Sequence, residues 1–146
     1  MTVSIQSSPF DMGAEIRRFA ESVPGAGAIV TFSGLVRDDD GKLTAMEIEH
    51  YPAMTERAVK AIRMKAMERW SLLDAVIVHR YGRLDPGEQI MMVATAARHR
   101  ADAFMAAEFL MDYLKSRAPF WKKEIGPDGE NWVAARDEDE DALGRW

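Results

Sequence analysis

Residues 115–124 read Lys-Ser-Arg-Ala-Pro-Phe-Trp-Lys-Lys-Glu, which places an Ala-Pro break between two pairs of cations. Proline lacks an amide donor and pushes the residue before it out of helical geometry, so a helix that reaches this stretch must end at or before Ala118. Lys115 and Arg117 therefore lie on the last helical turn, and the lysine pair 122–123 follows on an extended segment that has changed direction. The break predicts that cations from two elements approach one point.

The same cations have a simpler interpretation. Lys and Arg in a last turn complement the negative end of the helix dipole, and most lysines are ordinary solvated surface. On this stretch alone the simpler interpretation is favoured, so the rest of the chain has to decide between them.

The composition is that of one globular domain, which we expect to span residues 1–146. Hydrophobic side chains make up 47% of the chain and charged ones 29%, as is usual for a protein with its own core. The net charge of -5 argues against nucleic acid as the main partner, because phosphate binding requires a basic face. Five successive acids at 137–141 predict a solvated start to a terminal helix over 137–146.

Cysteine is absent, which excludes disulfides, thiolate metal sites and cysteine nucleophiles. Three scattered histidines do not make a transition-metal site, and nothing in the chain calls for a cofactor. No basic region followed by an apolar run opens the chain, and no apolar segment is long enough to span a bilayer. We therefore expect a cytoplasmic protein without a membrane segment.

The order of the predicted elements indicates the fold class. Strands are predicted at 3–6, 27–32, 43–51, 73–82, 89–97 and 131–134, and helices at 12–22, 53–70, 100–117 and 137–146. Residues 38–42 and 85–88 are hairpin turn signals, and parallel crossovers are few. This order predicts an α+β domain with a mainly antiparallel sheet and helices packed on one face.

Polar groups that carry chemistry lie where strands and helices end. Arg37 follows the strand at 27–32, His99 and Arg100 open a long helix whose free amides favour an anion, and Arg136 precedes the terminal helix. Arginine is suited to phosphate recognition, and lysine supplies a compact charge or, at a lowered pKa, an amine nucleophile. Purely structural interpretations are also open: His99 could cap the helix, and Arg37 could pair with a neighbouring carboxylate.

His50 and His79 lie on strand-like segments, and we interpret both as structural. The chain has no phosphate loop, dinucleotide fingerprint or nucleophile elbow. The residues alone therefore indicate a site for a small anionic ligand and leave catalysis open.

Five strings in order identify a family resemblance. They are Gly-Ala-Ile-Val-Thr-Phe-Ser-Gly-Leu-Val-Arg at 27–37, Glu-His-Tyr-Pro-Ala-Met at 49–54, Val-His-Arg-Tyr-Gly-Arg-Leu with Pro-Gly-Glu at 78–88, His-Arg-Ala with Ala-Phe at 99–104, and 114–124 followed by Trp-Val at 132–133. Together they resemble the large, catalytic subunit of molybdopterin synthase, the MoaE family, over about residues 10–135.

The resemblance implies an α/β hammerhead-type fold and an enzyme, a sulfurtransferase of molybdenum cofactor biosynthesis. Such an enzyme inserts sulfur into cyclic pyranopterin monophosphate (precursor Z) to form molybdopterin. The sulfur arrives as the C-terminal thiocarboxylate of a small ubiquitin-like subunit, and two large subunits dimerise with a small subunit at each end. A chain without cysteine cannot carry sulfur as its own persulfide, which agrees with delivery by a partner.

The resemblance also implies roles for individual residues. Lys115 would lie beside the incoming terminal glycine and polarise or engage the thiocarboxylate carbonyl, while Lys122 would assist proton transfer or stabilise charge. His99 and Arg100 would enter the site from the other subunit of the dimer. The predicted substrate-binding set is Leu35, Val36, Arg37, His99, Arg100, Lys115, Lys122, Lys123 and Glu124, with Arg136 as a weaker candidate.

Two departures from the family pattern concern the substrate pocket. Arg98 stands where a small residue is expected, and the acidic loop 38–40 would repel an anionic substrate if it folded inward. Phe120 and Trp121 are expected to anchor the chain reversal in the core. The alternative function is a non-catalytic module that docks a ubiquitin-like Gly-Gly partner or binds a pterin or nucleotide phosphate. The cations at 37, 99, 100 and 122 together favour the enzyme.

Overall fold

The computed structural model describes residues 2–134 and 136–146, so Met1 and Ala135 of the expected domain lie outside the described residues. No helix among the described residues combines the length and the apolar character needed to cross a bilayer. The elements in chain order are β1 (Val3–Gln6), α1 (Met12–Ser22), β2 (Ala28–Leu35), β3 (Ala45–His50), α2 (Pro52–Arg69), β4 (Asp74–Arg80), β5 (Gly82–Leu84), β6 (Gln89–Ala97), α3 (Arg100–Ser116), β7 (Phe120–Gly126), β8 (Gly129–Trp132) and α4 (Asp137–Ala142), which a short 3₁₀ turn (Leu143–Arg145) extends.

The strands form two four-stranded sheets, in the orders β1-β4-β6-β2 and β5-β3-β7-β8. Among the described residues, β1 and β4 pair in parallel and the other pairings are antiparallel, which confirms the mainly antiparallel α+β class. The strand expected over 73–82 ends at Arg80, and Gly82 begins β5 in the other sheet. Gly82 has a φ of 92°, a backbone angle that favours glycine and lets the chain leave the first sheet.

Helices pack on both faces of the first sheet because its central strands are apolar on both sides. One face joins Ile77 and Val93 of the sheet to Val59 of α2 and Leu110 of α3 in the main core. On the opposite face, α1 buries Phe19 against a second set of residues from β4 and β6. The expectation of helices on one face therefore holds for α2 and α3, and α1 is the exception.

Two apolar patterns in the sequence predict more burial than the structure shows. The β-branched apolar run at 27–32 predicts a buried strand, but β2 is an edge strand and leaves Phe32 41% exposed. The four-residue repeat of Met54, Ala58 and Ile62 predicts that Met54 faces inward. Met54 is instead 56% exposed, and the neighbouring Thr55 is fully buried. Thr55 faces inward because its hydroxyl has a specific partner in the chain reversal after α3.

This reversal connects α3 to β7 within three residues. The amides of Arg117 and Ala118 both donate to the carbonyl of Tyr113, at 2.8 and 3.2 Å, and close the helix. The Thr55 hydroxyl then donates to the carbonyl of Pro119 at 3.1 Å. The helix ends where the Ala-Pro break predicted, and α2 fixes the direction in which the chain leaves it.

We predict that Thr55→Val lowers the free energy of unfolding by about 1–3 kcal/mol. The substitution keeps the shape of the side chain but leaves the Pro119 carbonyl without its partner. Urea unfolding followed by circular dichroism measures the change. Thr44→Val is the control, since Thr44 is exposed and should change the value by less than about 0.5 kcal/mol. Equal losses in the two variants would contradict a role for the Thr55–Pro119 contact.

Candidate active site

Alternation along β7 sends its two adjacent lysines in opposite directions. Lys122 pairs with Ile48 of β3, which is 1% exposed, so its side chain leaves from the core-facing side of the sheet. Lys123 pairs with Glu47 and lies on the outer face. The two lysines therefore belong to different environments despite being neighbours in sequence.

On the outer face, Lys123 lies close to two carboxylates and an aromatic ring. Its Nζ lies 3.2 Å from the Glu130 carboxylate and 3.8 Å from that of Glu47, and 5.2 Å from the centre of the Trp132 ring. The hydrogen bond to Glu130 raises the pKa of Lys123 and keeps the ammonium charged. In this chain Lys123 thus faces away from the cavities that Lys122 lines.

Trp121 also lies on the outer face, where its ring meets that of Tyr51 at 5.1 Å, edge to face. It is 44% exposed, so the expectation that it anchors the reversal in the core is wrong. Phe120 does serve as the anchor. Its ring stacks on His79 with centres 3.7 Å apart and planes 12° from parallel.

His79 is the last core-facing residue of β4 and is 4% exposed. Its Nδ1 lies 2.8 Å from the carbonyl oxygen of Arg80. A carbonyl only accepts, so Nδ1 carries the hydrogen and Nε2 carries the lone pair of the neutral ring. Burial, with smaller contributions from the charges of Lys122 and Lys115, lowers the pKa of His79 to about 3, although the hydrogen bond to Arg80 opposes the shift. The ring is therefore neutral near pH 7.

Two cavities meet at this point and share one wall. The residues common to both are His79, Leu114, Lys115 and Lys122. The larger cavity has a volume of about 330 Å³ and continues past Ser116 toward Arg136 and Asp139. The smaller one has a volume of about 80 Å³ and is mainly apolar. Its other lining residues are Phe32, Gly34, Leu35, Ile90, Met91 and Met111.

The position of Lys122 in the shared wall lowers the pKa of its amine. Burial, reinforced by the charge of Lys115, lowers the pKa of Lys122 to about 8, and Asp139 opposes the shift. Lys115 itself is exposed on the last turn of α3, where the helix dipole favours a cation. An amine with a pKa near the working pH can both release and accept a proton. The wall therefore brings the exposed Lys115 together with an amine whose pKa lies near the working pH.

Some predicted site residues lie elsewhere in this chain. Arg37 is 75% exposed beyond the end of β2 and pairs with Asp39 at 3.2 Å. It lines a third cavity, of about 310 Å³, together with the acidic loop 38–40 and Glu124. Val36 is buried in the main core and lines neither cavity at the lysines, whereas Leu35 lines the smaller one.

His99 and Arg100 lie at the opposite end of α3 from Lys115. Lys115 follows Arg100 by fifteen positions in the helix, which is a distance of about 22 Å along the axis. Both are exposed. One chain alone does not bring them to the two lysines.

Two lining residues escaped the sequence reasoning. His79 was interpreted as structural, and Asp139 was included in a solvated acidic run. Ala75, Ile77 and His79 alternate along β4 and face the same side of the sheet, with His79 near the strand end. A sequence prediction that included two sheets would have placed His79 beside β7. Within residues 2–134 and 136–146, no three His, Asp or Glu side chains are grouped to hold a metal ion.

We predict that Lys122→Met raises the free energy of unfolding at pH 7 by about 0.5–2 kcal/mol. Burial disfavours the ammonium, and methionine fills similar space without charge. The pKa of Lys122 lies at about 8 in the folded chain and at 10.5 in the unfolded one. Between these values the unfolded state binds more protons, so wild-type stability rises with pH and the advantage of the variant shrinks.

Chemical denaturation at several pH values between 7 and 10.5 measures this difference. Lys123→Met is the matched control, and it should lose stability because it removes contacts with two carboxylates and an aromatic ring. A Lys122→Met chain that is no more stable than wild type at pH 7 would contradict the burial of the ammonium.

Comparisons with known proteins agree with the resemblance seen in the sequence. A family profile described as "MoaE protein" matches residues 5–117. The molybdopterin synthase catalytic subunit of Cereibacter sphaeroides is 66% identical over the whole of both chains.

Solved structures share the fold. The molybdopterin biosynthesis MoaE protein from Burkholderia ambifaria is 54% identical, with a TM-score of 0.86 over 99% of this chain and 97% of that one. A complex of subunits 1 and 2 of molybdopterin-converting factor from Helicobacter pylori is 19% identical and has a TM-score of 0.80 over 92% and 91% of the two chains. On the extent of the profile match and the full-length similarity to the Cereibacter protein, this chain belongs to the MoaE family of molybdopterin synthase catalytic subunits.

Proposed function

We propose that this chain converts cyclic pyranopterin monophosphate to molybdopterin, using sulfur from the C-terminal thiocarboxylate of a small ubiquitin-like subunit. The observation that carries the proposal is the meeting of Lys115 and Lys122 at the wall shared by two cavities. A reaction between a protein tail and a small substrate needs two approaches to one point, and the joined cavities provide them.

Lys115 and Lys122 differ in exposure, and we assign them different roles on that basis. Lys115 is exposed on the rim, where an incoming Gly-Gly tail reaches it first, and its charge polarises the thiocarboxylate carbonyl. Lys122 is more buried, and its pKa of about 8 suits the transfer of protons as sulfur attacks the pterin side chain. The charge of Lys115 thus serves the reaction twice, at the carbonyl and through the acidity of Lys122.

The phosphate of the substrate requires further cations. Arg136 lines the larger cavity, and Arg37, His99 and Arg100 complete the predicted set. Because His99 and Arg100 lie about 22 Å along α3 from Lys115, they serve the site only from a second subunit. We therefore propose a homodimer of this chain with a small subunit at each end, which makes a heterotetramer. We place its activity in the cytoplasm, a reducing compartment in which proteins rarely form disulfides, and this chain has no cysteine.

We predict that Lys115→Ala lowers turnover at least about 100-fold while the chain stays folded. The assay combines the purified chain, the thiocarboxylated small subunit and the cyclic pterin, and it measures the dithiolene product. Lys60→Ala is the control, because Lys60 is exposed on α2, where it pairs with Glu56 at 2.7 Å. Full activity of Lys115→Ala would contradict the catalytic role proposed for Lys115.

A mixed dimer tests whether the site is shared between subunits. One subunit carries Lys115→Ala, the other His99→Ala, and two affinity tags isolate the mixed species. If His99 serves the partner's lysines, one of the two sites is intact and about half of the wild-type activity remains. If His99 serves its own chain, both sites are broken, and an inactive mixed dimer would exclude sharing.

A further inference from the structure

The sulfur-transfer chemistry proposed above gives no role to His79, yet this imidazole lines both cavities. Its surroundings hold it in one orientation. Nδ1 donates to the Arg80 carbonyl at 2.8 Å, and one face of the ring stacks on Phe120.

The free edge of the ring is the one that carries Nε2. The Nδ1 edge is committed to the backbone of its own strand, so Nε2 belongs to the edge left for the shared wall. Because the hydrogen of the neutral ring is on Nδ1, Nε2 can only accept a hydrogen bond.

Lys122 lines both cavities together with this ring, and its charge acts on His79 more strongly than that of Lys115. Lys122 follows Phe120 by two residues on the same face of β7, so its side chain rises beside the ring that covers His79. The other charged groups around the larger cavity are Lys115, Arg136 and Asp139. Lys115 and Arg136 belong to α3 and to the segment before α4, and Asp139 lies on α4.

We propose that His79 is a positioning residue: the Lys122 ammonium, which lines the same wall, turns to donate a hydrogen bond to Nε2 and is thereby aimed at the junction of the two cavities. The inference rests on the proposed function and adds a residue to it. No covalent bond forms or breaks at His79, and the proton stays on Lys122 until substrate chemistry requires it.

A neutral acceptor suits this position better than a carboxylate. A carboxylate beside Lys122 would form an ion pair, raise its pKa and hold the proton on the amine. An imidazole orients the ammonium and leaves the proton free to move. The burial of His79 and the two nearby lysines keep the ring neutral, so it remains an acceptor throughout the working pH range.

Two substitutions separate the nitrogens of the ring. His79→Asn keeps a donor near Nδ1 for the Arg80 carbonyl but has no atom near Nε2. His79→Gln places an amide oxygen near Nε2. We expect kcat to fall about 10–100-fold in His79→Asn, with KM for the pterin little changed, and to recover most of its value in His79→Gln.

His50→Gln is the matched control, since His50 belongs to the same aromatic cluster, 4.3 Å from Tyr81, but lines neither cavity. It should leave kcat unchanged. Equal kcat values in His79→Asn and His79→Gln, or a greater loss in His79→Gln, would overturn the role of Nε2.

A measurement without turnover keeps the contact testable if either His79 variant fails to fold. Long-range ¹H–¹⁵N spectra of the full chain should show His79 with hydrogen on Nδ1, and Lys122→Met should shift the Nε2 resonance while Lys123→Met should not. An Nε2 resonance that ignores Lys122→Met would refute the contact. Absence of turnover in the wild-type chain would instead refute the proposed function, and the spectra would still decide on His79.

Discussion

The reversal between α3 and β7 is the constraint on which the site depends. Proline ends the helix, and the buried hydroxyl of Thr55 fixes the Pro119 carbonyl, so β7 leaves in one direction only. Phe120 then enters the core as the first residue of the new strand. This geometry puts Lys115 at the end of a helix and Lys122 on a strand at the same wall, although seven positions separate them in the sequence.

The position of Lys122 sets function against stability. Its side chain leaves from the core-facing side of the second sheet beside Ile48, where a methyl or thioether group would pack at no electrostatic cost. The ammonium is instead partly desolvated and close to a second cation, and both effects lower its pKa. Lys123 shows what the outer face offers: carboxylate partners and a raised pKa. The proton-transfer role proposed for Lys122 needs a lowered pKa, which the core-facing side provides and the outer face does not.

Local rules predicted the elements well. The Ala-Pro break gave the end of α3, and the turn at 85–88 gave β6 at its observed bounds, Gln89–Ala97. The pairing of distant strands was not predicted. The backbone turn at Gly82 divides residues 73–82 between two sheets, and the apolar pattern of the sequence does not show this turn. The inward position of Thr55 depends on a carbonyl 64 residues away, which no helical periodicity reports.

The candidate site was predicted in part for the same reason. Family strings pointed to both lysines, but the partners that shape them come from distant elements: His79 from the first sheet and Asp139 from α4. The clearest test of the account is the titration of the Lys122 amine by lysine-selective NMR in wild type and in Lys115→Met. We expect a pKa near 8 in wild type and a higher value once the neighbouring charge is removed. A Lys122 pKa that is the same in both chains would contradict the shared site.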